Sequence, residues 1–207
     1  MNSKKDNKTE TFRADSNSAM IYTFNNRFFS SLTYEDVLKI KNWRNQQMQI
    51  LRQWKPLTDF NQEQWFEKIS TDPTQLTFSI HWLNSSNELE LIGYCGIVNI
   101  DYINRRGEIS FIVEPTRTEN IKIYNEDFNA ALQLLCSYAF SKLNFIKLYT
   151  ETYSLRENHI SVLENFGFQY EGSLRNHQFI DGKLYDSKLH SILKEEWIKK
   201  EDSKHVF

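Results

Sequence analysis

Glu108 opens the run EISFIVE directly after an Arg105-Arg106-Gly107 turn, and strand alternation puts it on one face with Ser110. A carboxylate in that position serves either as a proton acceptor inside a pocket or as the partner of the two arginines beside it. Both readings stay open at the level of residues. His159 and His177 have acid–base capacity, but each stands alone, and a lone histidine is more often structural. The five histidines show no metal-ligand spacing, so no metal site is expected. Cys95 and Cys136 lack a CxxC partner and read as buried, reduced thiols rather than redox or catalytic groups.

The elements that must position these residues follow from periodicity and turn chemistry. Residues 19–30 (AMIYTFNNRFFS) predict a first strand. Thr33 reads as an N-cap with Asp36 three residues on, opening a helix through Val37, Ile40 and Trp43. A second, short helix is expected to carry Met48, Leu51 and Trp54 and to stop before Pro56. A third is expected from an N-cap at Asn61, with Gln64 three residues on. Three β-branched or aromatic runs, 77–83, 90–100 and 108–114, predict an antiparallel meander with turns at NSSNE and INRRG.

The longest helical stripe, Tyr124, Phe128, Ala131, Leu135 and Ala139, implies a helix over 121–143. FIKLYTETY (145–153) then predicts a buried strand. A crossover of that length implies that 108–114 and 145–153 run parallel. ENHISVLENF predicts a short helix ended by Gly167, and Asp181-Gly182 a tight hairpin turn. The fold class is therefore α/β with a mixed sheet: a meander plus a central parallel pair, flanked by helices.

Length, composition and charge narrow the class. With 207 residues, the chain suits one domain, taken as 19–200, with 1–18 a polar, disordered tail and 201–207 a second tail. A net charge of -2 and only short basic pairs argue against a nucleic-acid partner. No apolar run approaches the roughly 20 residues that span a bilayer, and the N-terminus lacks a secretory signal's apolar segment. No membrane partner is expected, and a cytoplasmic location is the default.

The stretch GFQYEGSLRNHQFIDGKLYDSKLHSILKEEW (167–197) resembles the last third of one branch of the GCN5-related N-acetyltransferases. Phe166, Gly167, Phe168, Glu171, Gly172, Arg175, Asp186, Leu193 and Trp197 sit at matching positions. Trp43-Arg44-Asn45, Ile92-Gly93, Gly107-Glu108-Ile109, Pro115 and Tyr138-Ala139-Phe140 match in order upstream. The branch holds ribosomal-protein and amino-sugar N-acetyltransferases, including the type of pseudaminic acid synthesis. The resemblance covers about residues 20 to 197 and implies a twisted sheet splayed at its centre, where acetyl-CoA enters between two parallel strands. It implies acetyl transfer to a small primary amine, an amino sugar first and a protein N-terminus second. Against this stands a non-catalytic relative that binds a ligand or partner. The oligomeric state stays open, a homodimer included.

The resemblance also assigns residues. Glu108 matches the glutamate that faces the acceptor, and Arg44 and Asn45 line the acceptor side. Val113 and Glu114 present backbone groups to the pantetheine amides. The family's phosphate loop is glycine-rich, but no glycine lies between Gly107 and Gly167. In one alignment Arg117, Asn120, Ile121 and Lys122 form that loop, and Asn120 tolerates the left-handed conformation better than most residues. In the other the loop falls at 123–128 and puts Glu126 and Asp127 where the pyrophosphate belongs; helix periodicity favours the first. The family's pantetheine Asn falls on Arg156, with Asn158 as substitute, and its general-acid Tyr falls on Leu163. Tyr22, Tyr124 and Tyr185 are alternative acids between which the residues do not choose.

Overall fold

The computed structural model describes residues 20–204; the expected tail at 1–18 lies outside them. The chain opens as a hairpin, β1 (Met20–Phe24) and β2 (Arg27–Ser31), rather than as one strand. Asn25 and Asn26 both adopt positive φ, 47° and 59°, which is the two-residue turn geometry that asparagine tolerates best among side-chain-bearing residues. α1 (Tyr34–Gln46) starts on the expected capping box: Thr33 Oγ1 accepts from Asp36 N–H at 3.2 Å, and Asp36 Oδ2 accepts from Thr33 N–H at 3.1 Å. α2 (Asp59–Thr71) is capped by Thr58, not Asn61; Asn61 is the residue that reaches back. Between them the expected second helix shrinks to one 3-10 turn, Met48–Ile50, and Trp54 is 86% exposed. No apolar stripe reaches the sheet from that segment beyond Leu51, so nothing repays a longer helix.

β3 (Leu76–Leu83), β4 (Leu89–Asp101) and β5 (Arg106–Val113) form the antiparallel meander. A single turn, α3 (Pro115–Thr118), precedes α4 (Ile121–Ser137), which runs into a wider turn at Tyr138–Lys142. β6 (Lys147–Tyr153), α5 (Glu157–Phe166), β7 (Gln169–Ile180), β8 (Lys183–Leu193) and α6 (Lys194–Lys204) complete the chain. Gly167 closes α5 at φ 116°, a conformation that side chains resist. α6 runs four residues past 200, where the sequence reading ends the domain. No helix among the described residues is long and apolar enough to cross a membrane.

All eight strands form one sheet in the order β1-β2-β3-β4-β5-β6-β8-β7. β5 and β6 are its parallel pair, as the crossover implies, and their ladder covers only Arg106↔Lys147, Gly107↔Leu148 and Glu108↔Tyr149. Past Glu108 the strands separate. Gly107 is required at this junction, because a Cβ there would meet Ile97 Cγ2 at 2.3 Å. Side-chain alternation along β5 feeds two cores. Ile109, Phe111 and Val113 join the main cluster with α4 and α5, whereas Ile112 packs with Tyr94, Ile40, Trp43 and Trp65 beneath α1 and α2.

A buried charge network ties α4 to the first hairpin. Asp127, with no exposed surface, accepts from Arg27 Nε at 2.9 Å and from Arg117 at 2.6 and 3.0 Å. Removing one partner of a buried pair leaves an uncompensated charge, which costs several kcal/mol. We expect Asp127→Asn to lose about 3 kcal/mol of stability, measured as a lower urea midpoint at unchanged m-value. Arg117→Ala, which leaves Arg27 in place, should lose less.

Candidate active site

The parting of β5 from β6 opens a cavity of about 170 Å³, lined by Glu108, Ser110 and Ile112 of β5 and by Thr150, Glu151 and Tyr153 of β6. Glu114 N–H bonds Ile92 O at 2.8 Å, so by antiparallel alternation the N–H and C=O of Val113, Phe111 and Ile109 point away from β4, toward the gap. Ladder partners from β6 are absent beyond Glu108. Val113 O instead accepts from Gln47 Nε2 at 2.8 Å. This is an open strand edge in the middle of a sheet, able to pair with an extended, amide-bearing chain.

Glu108 sits at the closed end of the gap and is 7% exposed. Its partners are not Arg105 and Arg106. Arg105 occupies the turn at φ 49°, and Arg106 lies 3.4 Å from Asp101. Arg52, from the 3-10 segment, reaches Glu108 Oε1 at 2.6 Å and Oε2 at 3.3 Å, and the same guanidinium touches Glu151 Oε2 at 3.0 Å. Burial works against the charge on Arg52, but Glu108 and Glu151 outweigh it and raise its pKa. Asn99 Nδ2 adds a bond to Glu108 Oε2 at 2.8 Å. Asn99 has φ 51° and stands where the β4–β5 register shifts, a bulge that aims its side chain at the carboxylate. Glu151 Oε1 is buried without a hydrogen-bond partner, and His177 Nε2 lies 3.7 Å from it.

Arg44 and Asn45 brace the segment that carries Arg52. Arg44 donates to Gln53 Oε1 at 3.2 Å and to Tyr94 Oη at 2.5 Å, and also lines the cavity. Asn45 is used up in the brace: Oδ1 accepts from Gln53 Nε2 and Leu57 N–H, and Nδ2 donates to Leu57 O.

The stretch read as a phosphate loop has a different geometry from the one expected. Asn120 has φ -103°, not a left-handed value, and is the N-cap of α4. Its Oδ1 accepts from Lys122 N–H at 3.1 Å and Ile123 N–H at 3.2 Å, while its carbonyl accepts from Tyr124 N–H at 2.9 Å. Arg117 is turned inward onto Asp127 and over Trp82; Ile121 and Lys122 are exposed. The alternative alignment fails, because 123–128 lies inside α4 and Asp127 is in the buried network.

At the other end of the gap stand Arg156 and His159, opening α5. His159 Nδ1 and Tyr124 Oη are 2.6 Å apart, and Arg156 Nη2 lies 3.2 Å from that hydroxyl. Of the three candidate acids, Tyr124 is therefore the one this structure joins to the slot through His159, which lines it. Burial raises the Tyr124 pKa, opposed by Arg156. Asn158 bonds Asn125 Oδ1 at 3.0 Å. Both cysteines are buried and free, and burial pushes the Cys95 thiol up, which keeps it inert. No group of three metal-ligating side chains occurs among the described residues.

Several partners, Asn99 among them, were missed in the sequence. Arg52 has no local signal, since it reaches the site across the fold from a loop. Glu151 did have one: a charge inside the buried strand TETY. The His159–Tyr124 contact joins positions 35 apart. Burial, with Arg156 and His190 nearby, drives the His159 pKa well below its usual 6.5. The unfolded chain therefore binds a proton that the folded chain excludes, and stability falls as pH drops through and below about 6.5. His159→Phe should flatten this slope by up to about 1.4 kcal/mol per pH unit, read from urea midpoints between pH 7 and 5.

The family of the acetyltransferase (GNAT) domain matches residues 29–189. An uncharacterised N-acetyltransferase of Bacillus licheniformis is 31% identical over 109 residues, covering 52% of this chain and 58% of that protein. A Bacillus subtilis protein named as a candidate ribosomal N-acetyltransferase is 30% identical over 108 residues, covering 52% and 56%. The chain thus spans somewhat over half the length of these curated relatives. Spermidine N(1)-acetyltransferase of Vibrio cholerae is 26% identical over 161 residues, 76% of this chain and 88% of that one. The crystal structure of the Vibrio cholerae spermidine N-acetyltransferase with CoA and spermine superposes at a TM-score of 0.73 and 23% identity, over 84% of this chain and 99% of that one, a likeness of fold. The family match spans most of a chain whose sheet parts at a buried glutamate: this protein belongs to the GNAT acetyltransferase family.

Proposed function

We propose that the domain transfers an acetyl group from acetyl-CoA to a primary amine on a small, positively charged acceptor. The observation that carries this reading is the parting of β5 from β6 immediately past Glu108. That geometry leaves a strand edge free for a pantetheine arm and ends it at a buried carboxylate. The residues present suit the arm: Ile109, Phe111 and Val113 offer backbone groups toward the gap. Acetyl-CoA, when bound, supplies the activated acyl carbonyl. Glu108 takes the proton from the acceptor ammonium, directly or through a water, which frees the amine for attack. Asn99 and the end of the β5–β6 ladder hold the carboxylate at the head of the gap. Tyr124, paired to His159 and Arg156, supplies a hydroxyl on the leaving-group side.

The acceptor class follows from what Glu108 and Glu151 already hold. Two carboxylates share one guanidinium, so the site favours cationic groups. The two carboxylates meet on one guanidinium nitrogen, so one ammonium of a polyamine or of an amino sugar can sit between them. Arg52 must move aside for either. The second reading, a non-catalytic binding domain, is favoured by the self-capped start of α4, and its mark would be that no acyl donor binds.

Glu108→Gln keeps the shape and removes the basicity. It should lower kcat about a hundredfold on a diamine substrate while leaving donor affinity nearly unchanged. Wild-type kcat in that variant would overturn the assignment of the base. Arg52→Ala removes the internal cation and should lower the KM for a cationic acceptor about three- to tenfold at unchanged kcat, measured by steady-state kinetics.

A further inference from the structure

Resting on the reading above, we propose that this domain grips its acyl donor by the pantetheine arm and leaves the nucleotide diphosphate ungripped, so that a pantetheine thioester serves as well as the full coenzyme. The start of α4 is where the fold would offer backbone donors to a diphosphate, and in this chain a side chain already takes two of them. Asn120 Oδ1 satisfies two of the four free N–H groups of the first turn, those of Lys122 and Ile123. No glycine occurs anywhere between Gly107 and Gly167 to let an anion approach the backbone.

The side chains agree with the backbone. Arg117, the nearest guanidinium before the helix, spends both arms on Asp127, and Arg27 divides its own between Asp127 and Glu126. The buried Asp127 carboxylate is thus the anion these arginines already hold. Arg156 is turned to Tyr124 and His159. Lys122 is left exposed, with the exposed Glu119 three residues before it and the exposed Glu126 four residues after it, so an anion meets little net positive charge there. The edge of β5, by contrast, has only Val113 O engaged, by Gln47, and lacks ladder partners from β6 beyond Glu108. Recognition is therefore concentrated on the amide-bearing arm. The chemistry is unchanged by the missing nucleotide: the amine nitrogen bonds to the thioester carbon, the carbon–sulfur bond breaks, and the thiol departs with one proton.

The test is isothermal titration of the full chain with coenzyme A, with pantetheine and with the coenzyme's adenosine bisphosphate portion. Coenzyme A and pantetheine should bind within about threefold of one another, and the nucleotide portion should neither bind nor compete at millimolar concentration. Asn120→Gly uncovers the donors at small cost to the helix and should tighten coenzyme A about tenfold while leaving pantetheine unchanged. Asn120→Ala uncovers the same donors and serves as the second variant should the glycine loosen the turn. Coenzyme A binding about 30-fold or more tightly than pantetheine in the unaltered chain would overturn this inference and leave the proposed function standing. If neither ligand binds, both fall.

Discussion

Everything in the site depends on two strands that start a parallel ladder and abandon it after three residue pairs. β5 is held by β4 along its length, and β6 is held by β8 from Lys147↔Leu193 to Tyr153↔Ser187. Each strand thus belongs to a half-sheet with its own partners. The twist between the halves is not absorbed by further pairing across the junction. Gly107 leaves room for the Ile97 side chain of β4 where the ladder begins, and the bulge at Asn99 shifts the β4–β5 register just beside it. The unpaired backbone edge that results would be a liability on a sheet margin. At the centre of a sheet, walled by α1 on one side and α4 and α5 on the other, it becomes a slot.

The arginines around the gap are already engaged by the protein's own groups. Arg52 is shared by Glu108 and Glu151, Arg27 and Arg117 by Asp127, and Arg156 is turned to Tyr124 and His159. These contacts serve different ends. The Asp127 network is buried, so its loss leaves an unpaired charge and destabilises the fold. Arg52 is half-exposed on a segment with one 3-10 turn, while its partner Glu108 is buried, so any cation that replaces it must also pair that carboxylate. One network fixes α4 to the first hairpin, and the other sets a cation between two carboxylates at the head of the gap.

Much of the architecture was legible residue by residue. The capping box at Thr33, the stripe from Tyr124 to Ala139, the Gly167 stop and the Asp181-Gly182 turn are local signals, and each sits where its chemistry requires. The parallel pairing followed from the length of the crossover. What failed had identifiable causes. Asn25-Asn26 splits the first strand because two adjacent asparagines accept positive φ, a turn code easily read as strand interior. The segment around Trp54 shows helical spacing but has no core to bury against. Asn61 and Thr58 each satisfy the capping rule, and only the chain's direction into α2 chooses between them.

The site divides along the same line. By itself the sequence determined the family, the sheet with its central parallel pair, and Glu108 as the carboxylate to examine, because spacing and alternation are local properties. Tertiary structure alone decided the partners. Arg52 reaches Glu108 across 56 positions and Glu151 across 99, and Arg117 turns inward because Asp127 is buried beside it. Asn120 was recognisable as tolerant of a left-handed turn, yet its role as a cap depends on where α4 begins in space. Charge pairing and burial act between residues distant in the chain, through a distance and a dielectric that no local pattern encodes.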